Sequence, residues 1–262
     1  MTQSTINTLN KINQDFYFRI SKYWNNKDDS AQYGWRTLVD ILKVNWQTKK
    51  EISILDLGCG NSRFATFIQN SFPELSINYL GIDTDPKFLD NGKERDKNFQ
   101  IFRLIKSDLV KDDWSFELKN KQFDLVLLFG ILHHIPGSKY RQKLLNQATE
   151  LLDLKGQLVF SGWRFLDKDR LKKRVIPNGS LYQKHVLSCH NLKPENLEFG
   201  DYILDWVKYE YSVRYAHYIS EAEAIAMSAI SGLVIKKHFI DDSLQRDQNN
   251  YWVCEKLKLK NI

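Results

Sequence analysis

Residues 54–64 read ILDLGCGNSRF, an apolar run that ends in two glycines, Gly58 and Gly60. Two glycines between a strand and a helix make a tight turn that lets a ligand approach the backbone closely. A dinucleotide site carries a third glycine three residues on, which packs helix against strand beside a pyrophosphate. Position 63 is Arg instead. Asp56 closes the apolar run, and a carboxylate there repels a pyrophosphate. The turn therefore asks for a ligand without phosphate.

Working outward, the turn sits in a regular alternation. ISILDL (52–57) reads as a buried strand, followed by a helix over 61–71. SINYLGID (76–83) is the next strand, and Asp85-Pro86 opens a helix with Pro near its first turn. IFRLIK (101–106), FDLVLLFG (123–130) and QLVFSG (157–162) are further strands, with a helix over 138–152. Strands alternating with helices predict a parallel sheet covered on both faces. Upstream, Ile6, Leu9, Ile12, Phe16, Ile20 and Tyr23 recur at helical spacing, with Asn, Gln and Lys on the other face. A second helix is expected from about Gly34 to Trp46. Residues 163–219 are basic, aromatic and irregular; a helix (220–231) and two strands (233–240 and 251–257) then finish the chain. The predicted organisation is an N-terminal helical cap, 1–48, and an α/β domain, 49–262, interrupted by an insertion at 163–219.

The chain has 262 residues, 42% of them hydrophobic and 27% charged, which fits a globular protein rather than a disordered one. No apolar run approaches the roughly 20 residues that cross a bilayer. MTQSTINTLNKINQDF lacks the apolar core of a signal peptide, and three scattered cysteines, Cys59, Cys189 and Cys254, suit a reducing compartment. A cytoplasmic location without membrane association is the expectation. The net charge of +6 permits a polyanionic partner and equally serves solubility.

S-adenosylmethionine (SAM) meets the demand of the turn: it has an ammonium, a carboxylate and a sulfonium, and no phosphate. Asp83 ends the second strand 25 residues after Gly58, where a carboxylate accepts both ribose hydroxyls. It is equally placed to cap the helix that follows. Asp108, in KSDL after the third strand, is placed to accept from an adenine amino group or to cap its own turn. The end of the fourth strand faces the same crevice.

DLGCG, GID, SDL and FDLVLLFGILHHI, in this order, resemble the class I SAM-dependent methyltransferases. The resemblance covers roughly residues 50–162 and the closing strands. It implies a doubly wound, Rossmann-like sheet of seven strands with the last one antiparallel. Carried over by position, it places Asp56, Gly58, Cys59 and Gly60 at the methionine end of SAM. Asn61 and Arg63 fall at the helix start beside its carboxylate, Asp83 at the ribose and Asp108 at the adenine, with Thr84, Leu109 and Phe129 also expected in the cofactor site.

Methyl transfer needs a general base only where the acceptor must lose a proton. His133 and His134 follow the fourth strand, as acid–base groups, as orienting groups or as wall. No metal site is expected; His185, Cys189 and His190 lack ligand spacing. WRFLDKDRLKKR (163–174) carries six basic residues among aromatics, and residues 200–220 add Lys208, Arg214, Tyr215 and His217. Such mixtures suit phosphate contact and base stacking, or else a solvated face with packing aromatics.

FSGWRF, RYAHYISEAEA and NTLNKINQDFYFRISKYW resemble the tRNA wobble-uridine carboxymethyl methyltransferases and their bacterial relatives. That family's Trp-Pro-Gly-Trp stretch survives here only as Tyr33, Gly34 and Trp35. The resemblance implies a tRNA carboxylate as acceptor, a methyl ester as product and a small activating protein as partner. A carboxylate is already ionised at neutral pH and needs orientation rather than deprotonation; Arg164, Arg214 and His217 are the candidates. The competing reading is a small-molecule O- or N-methyltransferase whose lid is Tyr17, Tyr23, Trp24, Trp35 and Trp206. A third is a binding protein that keeps the fold without the chemistry.

Overall fold

The computed structural model describes residues 1–24, 33–96, 99–111, 113–206, 211–240 and 248–257. Helices α1 (Gln3–Trp24) and α2 (Tyr33–Asn45) come first. Then follow β1 (Glu51–Leu57), α3 (Arg63–Ser71), β2 (Ser76–Asp83), α4 (Pro86–Gly92), β3 (Ile101–Lys106), β4 (Phe123–Leu128), α5 (Ser138–Glu150) and β5 (Leu152–Trp163). The insertion holds α6 (Asp169–Lys172), α7 (Leu181–Ser188), β6 (Asp201–Trp206) and β7 (Ser212–His217). The chain closes with α8 (Glu221–Ile230), β8 (Leu233–Ile240) and β9 (Asn249–Lys256).

Seven strands form one sheet in the order β3-β2-β1-β4-β5-β9-β8. β1 through β5 pair in parallel, and β9 runs antiparallel to both its neighbours. This is the expected Rossmann-like α/β sheet. β4 carries the longest apolar run of the parallel strands, LVLL (125–128), because it is covered on both faces. Trp35, Leu38 and Leu42 of α2 pack with Phe64 and Ile68 of α3 on one face. Leu144, Leu145 and Ala148 of α5 pack with Ala224 and Met227 of α8 on the other. The strand order reverses between β1 and β4, which opens a crevice at their carboxyl ends.

The region read as irregular is organised. β6 and β7 make a separate antiparallel pair, with Leu204 opposite Arg214 and Asp201 opposite His217. One face, Ile203 and Tyr215, packs on Leu9 and Ile12 of α1 and on Val186 and Leu187 of α7. The other, Leu204 and Ala216, packs on Trp163, Phe165 and Leu171. Charged residues at buried strand positions hid this alternation. β5 also starts earlier than expected, at Leu152, because the polar DLKG stretch is taken up by a register irregularity against β4. Lys208 lies outside the described residues.

The N-terminal helices serve different surfaces: α2 covers the sheet, while α1 lies on the insertion. Asn10 and Asn13 were expected on the solvent face of α1, but are 8% and 6% exposed. Asn13 bridges two elements: it donates to the His134 carbonyl (3.3 Å) and accepts from the Tyr215 amide (2.9 Å).

A buried charge network ties the insertion to the sheet layer. His217 donates from Nδ1 to Asp201 and from Nε2 to Glu223, both at 2.8 Å. Arg141 of α5, 1% exposed, reaches Glu223 at 3.2 Å and donates to the Ile135 carbonyl. Burial works against the imidazolium, but the bonds to Asp201 and Glu223 outweigh it and raise the His217 pKa above 6.5. A raised pKa contributes stability that is complete below the unfolded value and is lost as pH climbs through the folded value. The melting temperature should therefore fall from pH 6 to pH 9, and His217→Gln should lower it at pH 6 by several degrees while flattening that slope. Calorimetry across this range checks it.

Candidate active site

A cleft of about 1300 Å³ opens at the carboxyl ends of β1, β2 and β4, with α1 along one side and β7 behind. All eleven residues expected to hold the cofactor line it: Asp56, Gly58, Cys59, Gly60, Asn61, Arg63, Asp83, Thr84, Asp108, Leu109 and Phe129.

The glycine turn is built from backbone bonds. Gly58 and Cys59 donate to the Ile82 carbonyl (2.8 and 3.1 Å), locking the turn to β2. Gly58 (φ 75°) and Gly60 (φ 55°) are both left-handed. A side chain at Gly58 would meet Ile131 at 3.1 Å, whereas one at Gly60 would meet nothing within 4 Å. Gly60 therefore borders open space, a cradle that a Cβ would enter. α3 starts without a side-chain cap; in its first turn the Ala65 amide donates to the Ser62 carbonyl (3.0 Å).

Asp56, 3% exposed, accepts from the Tyr79 hydroxyl at 2.5 Å. Burial pushes its pKa up to about 7, with Asp83 adding to the rise and Tyr79 opposing it. Asp83 accepts from the Gly60 amide (2.8 Å) and the Asp85 amide (3.0 Å). The cap of α4 is Asp85, which accepts from Lys87, so Asp83 is not the cap that its position allowed. Asp108 does cap its own turn, accepting from Val110 (2.9 Å) and Lys111 (3.3 Å), and also lines the cleft.

His133, His134 and Arg214 line the cleft; Arg164 and His217 do not. His217 is consumed by Asp201 and Glu223, and Arg164 pairs with Asp167 at 3.1 Å. These two expectations are corrected: a residue's nearness in sequence to aromatic and basic neighbours did not show which way its strand faces. His134 is held on both nitrogens. Its Nδ1 faces the Tyr215 carbonyl (3.3 Å), which only accepts, so Nδ1 carries the proton and Nε2 accepts from the Tyr17 hydroxyl (2.7 Å). Burial and the nearby Arg214 charge drive its pKa down to about 3. His133 is 4% exposed, with Nδ1 unpartnered, and burial holds it neutral.

Arg214 is 5% exposed. Its guanidinium lies 4.1 Å from the Trp163 ring centroid, 5.0 Å from Phe16 and 5.2 Å from Trp206. Its buried Nε has no hydrogen-bond partner among the described residues. Among the described residues no carboxylate pairs with it. Of the expected lid, Tyr17, Trp35 and Trp206 line the cleft; the side chains of Tyr23 and Trp24 lie outside the described set. The expectations missed Asn13 and Phe16. Their signal was the 3–4 spacing of Asn13, Phe16 and Tyr17, read only as an amphipathic stripe. Among the described residues no group of three or more His, Cys, Asp or Glu side chains could hold a metal ion, and no helix is long and apolar enough to cross a membrane.

Residues 55–158 match the family described as methyltransferase domain. The chain carries a SAM-dependent methyltransferase domain. S-adenosylmethionine is the cofactor of this methyltransferase, and the open cradle at Gly60 between Asp56 and Asp83 fits it. Malonyl-[acyl-carrier protein] O-methyltransferase 1 of Ilyobacter polytropus is 27% identical over 152 residues, 58% of this chain and 51% of the relative. The chain thus spans about half the length of that curated relative. Among solved structures, the CcbJ methyltransferase of Streptomyces caelestis superposes with a TM-score of 0.61 at 14% identity, covering 91% of this chain and 96% of that one. The magnesium protoporphyrin IX methyltransferase of Synechocystis, with bound SAM, gives 0.59 at 12%, covering 94% and 96%. These likenesses establish the fold. The narrower resemblance to the wobble-uridine enzymes has no counterpart among these relatives.

The two glycines differ in what a side chain meets. Gly58→Ala should cost roughly 1–2 kcal/mol for its left-handed backbone, plus the contact with Ile131. Gly60→Ala should cost the backbone part alone. Thermal melts of the two variants should rank Gly58→Ala as the less stable.

Proposed function

We propose that the methyltransferase esterifies a carboxylate. The observation that carries this reading is Arg214, a buried guanidinium lining the cleft with no carboxylate among the described residues to balance it. A buried charge costs several kcal/mol unless it is paired. An anionic acceptor supplies that partner, and a guanidinium edge matches a carboxylate by two parallel hydrogen bonds.

The bound cofactor supplies an electrophilic methyl group on a positively charged sulfur. The residues of this chain do the rest by position. Asp56 holds the ammonium, the uncapped start of α3 with Asn61 and Arg63 holds the carboxylate, Asp83 holds the ribose, and Asp108 the adenine edge. Arg214 orients the acceptor carboxylate, which is ionised at neutral pH and needs no base. His133 and His134, both neutral, form the wall between the two ligands.

Two sources of such an acceptor have support. The motif resemblance favours a carboxymethyl uridine in tRNA, with Arg170 and Arg174 on the cleft rim meeting phosphates. The relationship to an enzyme named for a malonyl group favours a small acyl carboxylate. The rim is mixed in charge, since Asp15 and Asp85 share it and Arg174 faces Asp205 at 3.8 Å.

Labelled SAM is offered with tRNA from cells lacking the gene and, separately, with a metabolite and carrier-protein extract, each with and without added cell lysate to supply an activating protein. Base-labile label in either pool is the expected methyl ester, and the labelled pool chooses between the two sources. Base-stable label overturns the carboxylate reading. Arg214→Gln should raise the acceptor KM about tenfold or more and leave SAM affinity unchanged. SAM affinity should itself fall as pH drops from 8 to 6, because Asp56 takes up a proton near 7, and Asp56→Asn should abolish that dependence; calorimetric titration measures both.

A further inference from the structure

α8 has two apolar faces. Ala224 and Met227 point inward and pack against the sheet and α5. Six of its ten residues are exposed, and five of those are apolar: Ala222, Ile225, Ala226, Ala229 and Ile230. Ile225 is 54% and Ile230 68% exposed. Their spacing, i, i+3, i+4, i+7 and i+8, is the one by which a helix buries a face, and here it falls on the outside. Leu257, 55% exposed, lies just past the helix, its amide bonded to the Gly232 carbonyl at 2.8 Å. A contiguous exposed apolar patch of this kind marks an interface, unlike single apolar residues scattered on a surface.

Charges flank this outer face unequally. One side of α8 meets α5: Glu223 pairs with Arg141, and Gln142 donates to the Met227 carbonyl and the Ser231 hydroxyl. Ser231 also donates to Asn146, so the two helices run in the same direction. Lys139 and Lys143, one turn apart and exposed on α5, border the apolar face on that side. Glu221, also exposed, shares the opposite side with Ile225. None of Glu221, Lys139 and Lys143 has an ion-pair partner among the described residues.

We propose that α8 pairs antiparallel with α8 of a second copy of this chain, about a two-fold axis beside Ile225 and Ala226. That axis sets Ile225 against Ala226 of the second copy and Ala222 against Ala229 of the second copy, so ridges meet grooves and the backbones approach closely. It also carries the Glu221 flank of each copy over the Lys143 flank of the other, and makes that ion pair twice, as an isologous interface must. The unequal flanks are what select a second copy: an acidic side and a basic side of one face become complementary when the face meets itself. No described residue that lines the cleft lies on α5 or α8, so both clefts stay open. A standard interface takes roughly 800 Å² per partner, more than one short helix offers, so α5 contributes and the dimer is a weak one.

Sedimentation velocity on the full-length protein, from about 1 to 200 µM, should show monomer passing to dimer with a dissociation constant on the order of 10 µM. Ile225→Asp should leave it monomeric across that range, and Ala229→Arg tests the same face by a second substitution. Glu221→Lys and Lys143→Glu should each weaken the dimer about five- to tenfold, and the two together should restore it to within about threefold of wild type, because the reversed charges meet again. All these positions are exposed and outside the cleft, so S-adenosylhomocysteine affinity, the control for folding, should stay within about twofold of wild type. A protein that is monomeric throughout overturns the inference and assigns the apolar face to a different partner. A dimer indifferent to both Ile225→Asp and Ala229→Arg overturns it as well. A dimer lost in those variants but not restored by the charge-reversed pair overturns the antiparallel arrangement.

Discussion

A positive charge is kept out of water beside the cleft without a carboxylate among the described residues to balance it, and much of the chain outside the sheet serves that arrangement. Burying a guanidinium is costly, and rings around it recover only part of the cost through cation–π attraction. Phe16 comes from α1, Trp163 from the end of β5, Trp206 from β6, and the arginine itself from β7. Four elements converge on one side chain. The pair β6 and β7 is positioned from behind by Asp201, His217, Glu223 and Arg141, where each charge has an opposite partner. Balanced charges anchor the strand and an unbalanced one faces the cleft. The alternation of β7 separates them, since Arg214 points one way and Tyr215 and His217 the other.

The cofactor half shows a different economy. The residues at the strand ends line the gap left by the reversal between β1 and β4: Asp56 is held by the Tyr79 hydroxyl, and Asp83 and Asp108 by backbone amides. Asp83 joins β2 to the glycine turn through the Gly60 amide. These carboxylates are thereby part of the fold, which is why a spacing of glycines and aspartates was readable without coordinates.

Legibility followed that division. Strands β1, β2 and β4 were readable because they are buried along most of their length and mostly apolar; β3, at the sheet edge, was readable from its short apolar run bounded by polar residues. That the eleven expected residues line one cleft was readable because their spacing is set by strand and turn lengths. The insertion was not: its strands place Asp201, Arg214 and His217 at buried positions, so the usual alternation is masked by charge. Arg214 and His217 looked equivalent on the page, both basic and both in RYAH. Only their pairing partners, Asn13 at 202 residues from Tyr215 for one face and Glu223 at six residues from His217 for the other, decide which faces the cleft. Asn13 failed for the same reason, since a buried asparagine looks like a solvent-facing one until its two backbone partners are known.

The bond from the Tyr215 amide to Asn13 spans 202 residues of chain. The glycine turn, Asp83 and Asp108 all lie within residues 56–108, and the strands that carry them pair with close neighbours. During synthesis the groups that hold the cofactor emerge well before β7, while α1, made first, has nothing to rest on until β7 arrives. Closing so long a loop is entropically costly and slow. The two halves of this cleft therefore have different birth orders: a nascent chain completes the strand-end half first and gains Arg214 only as its last quarter is made.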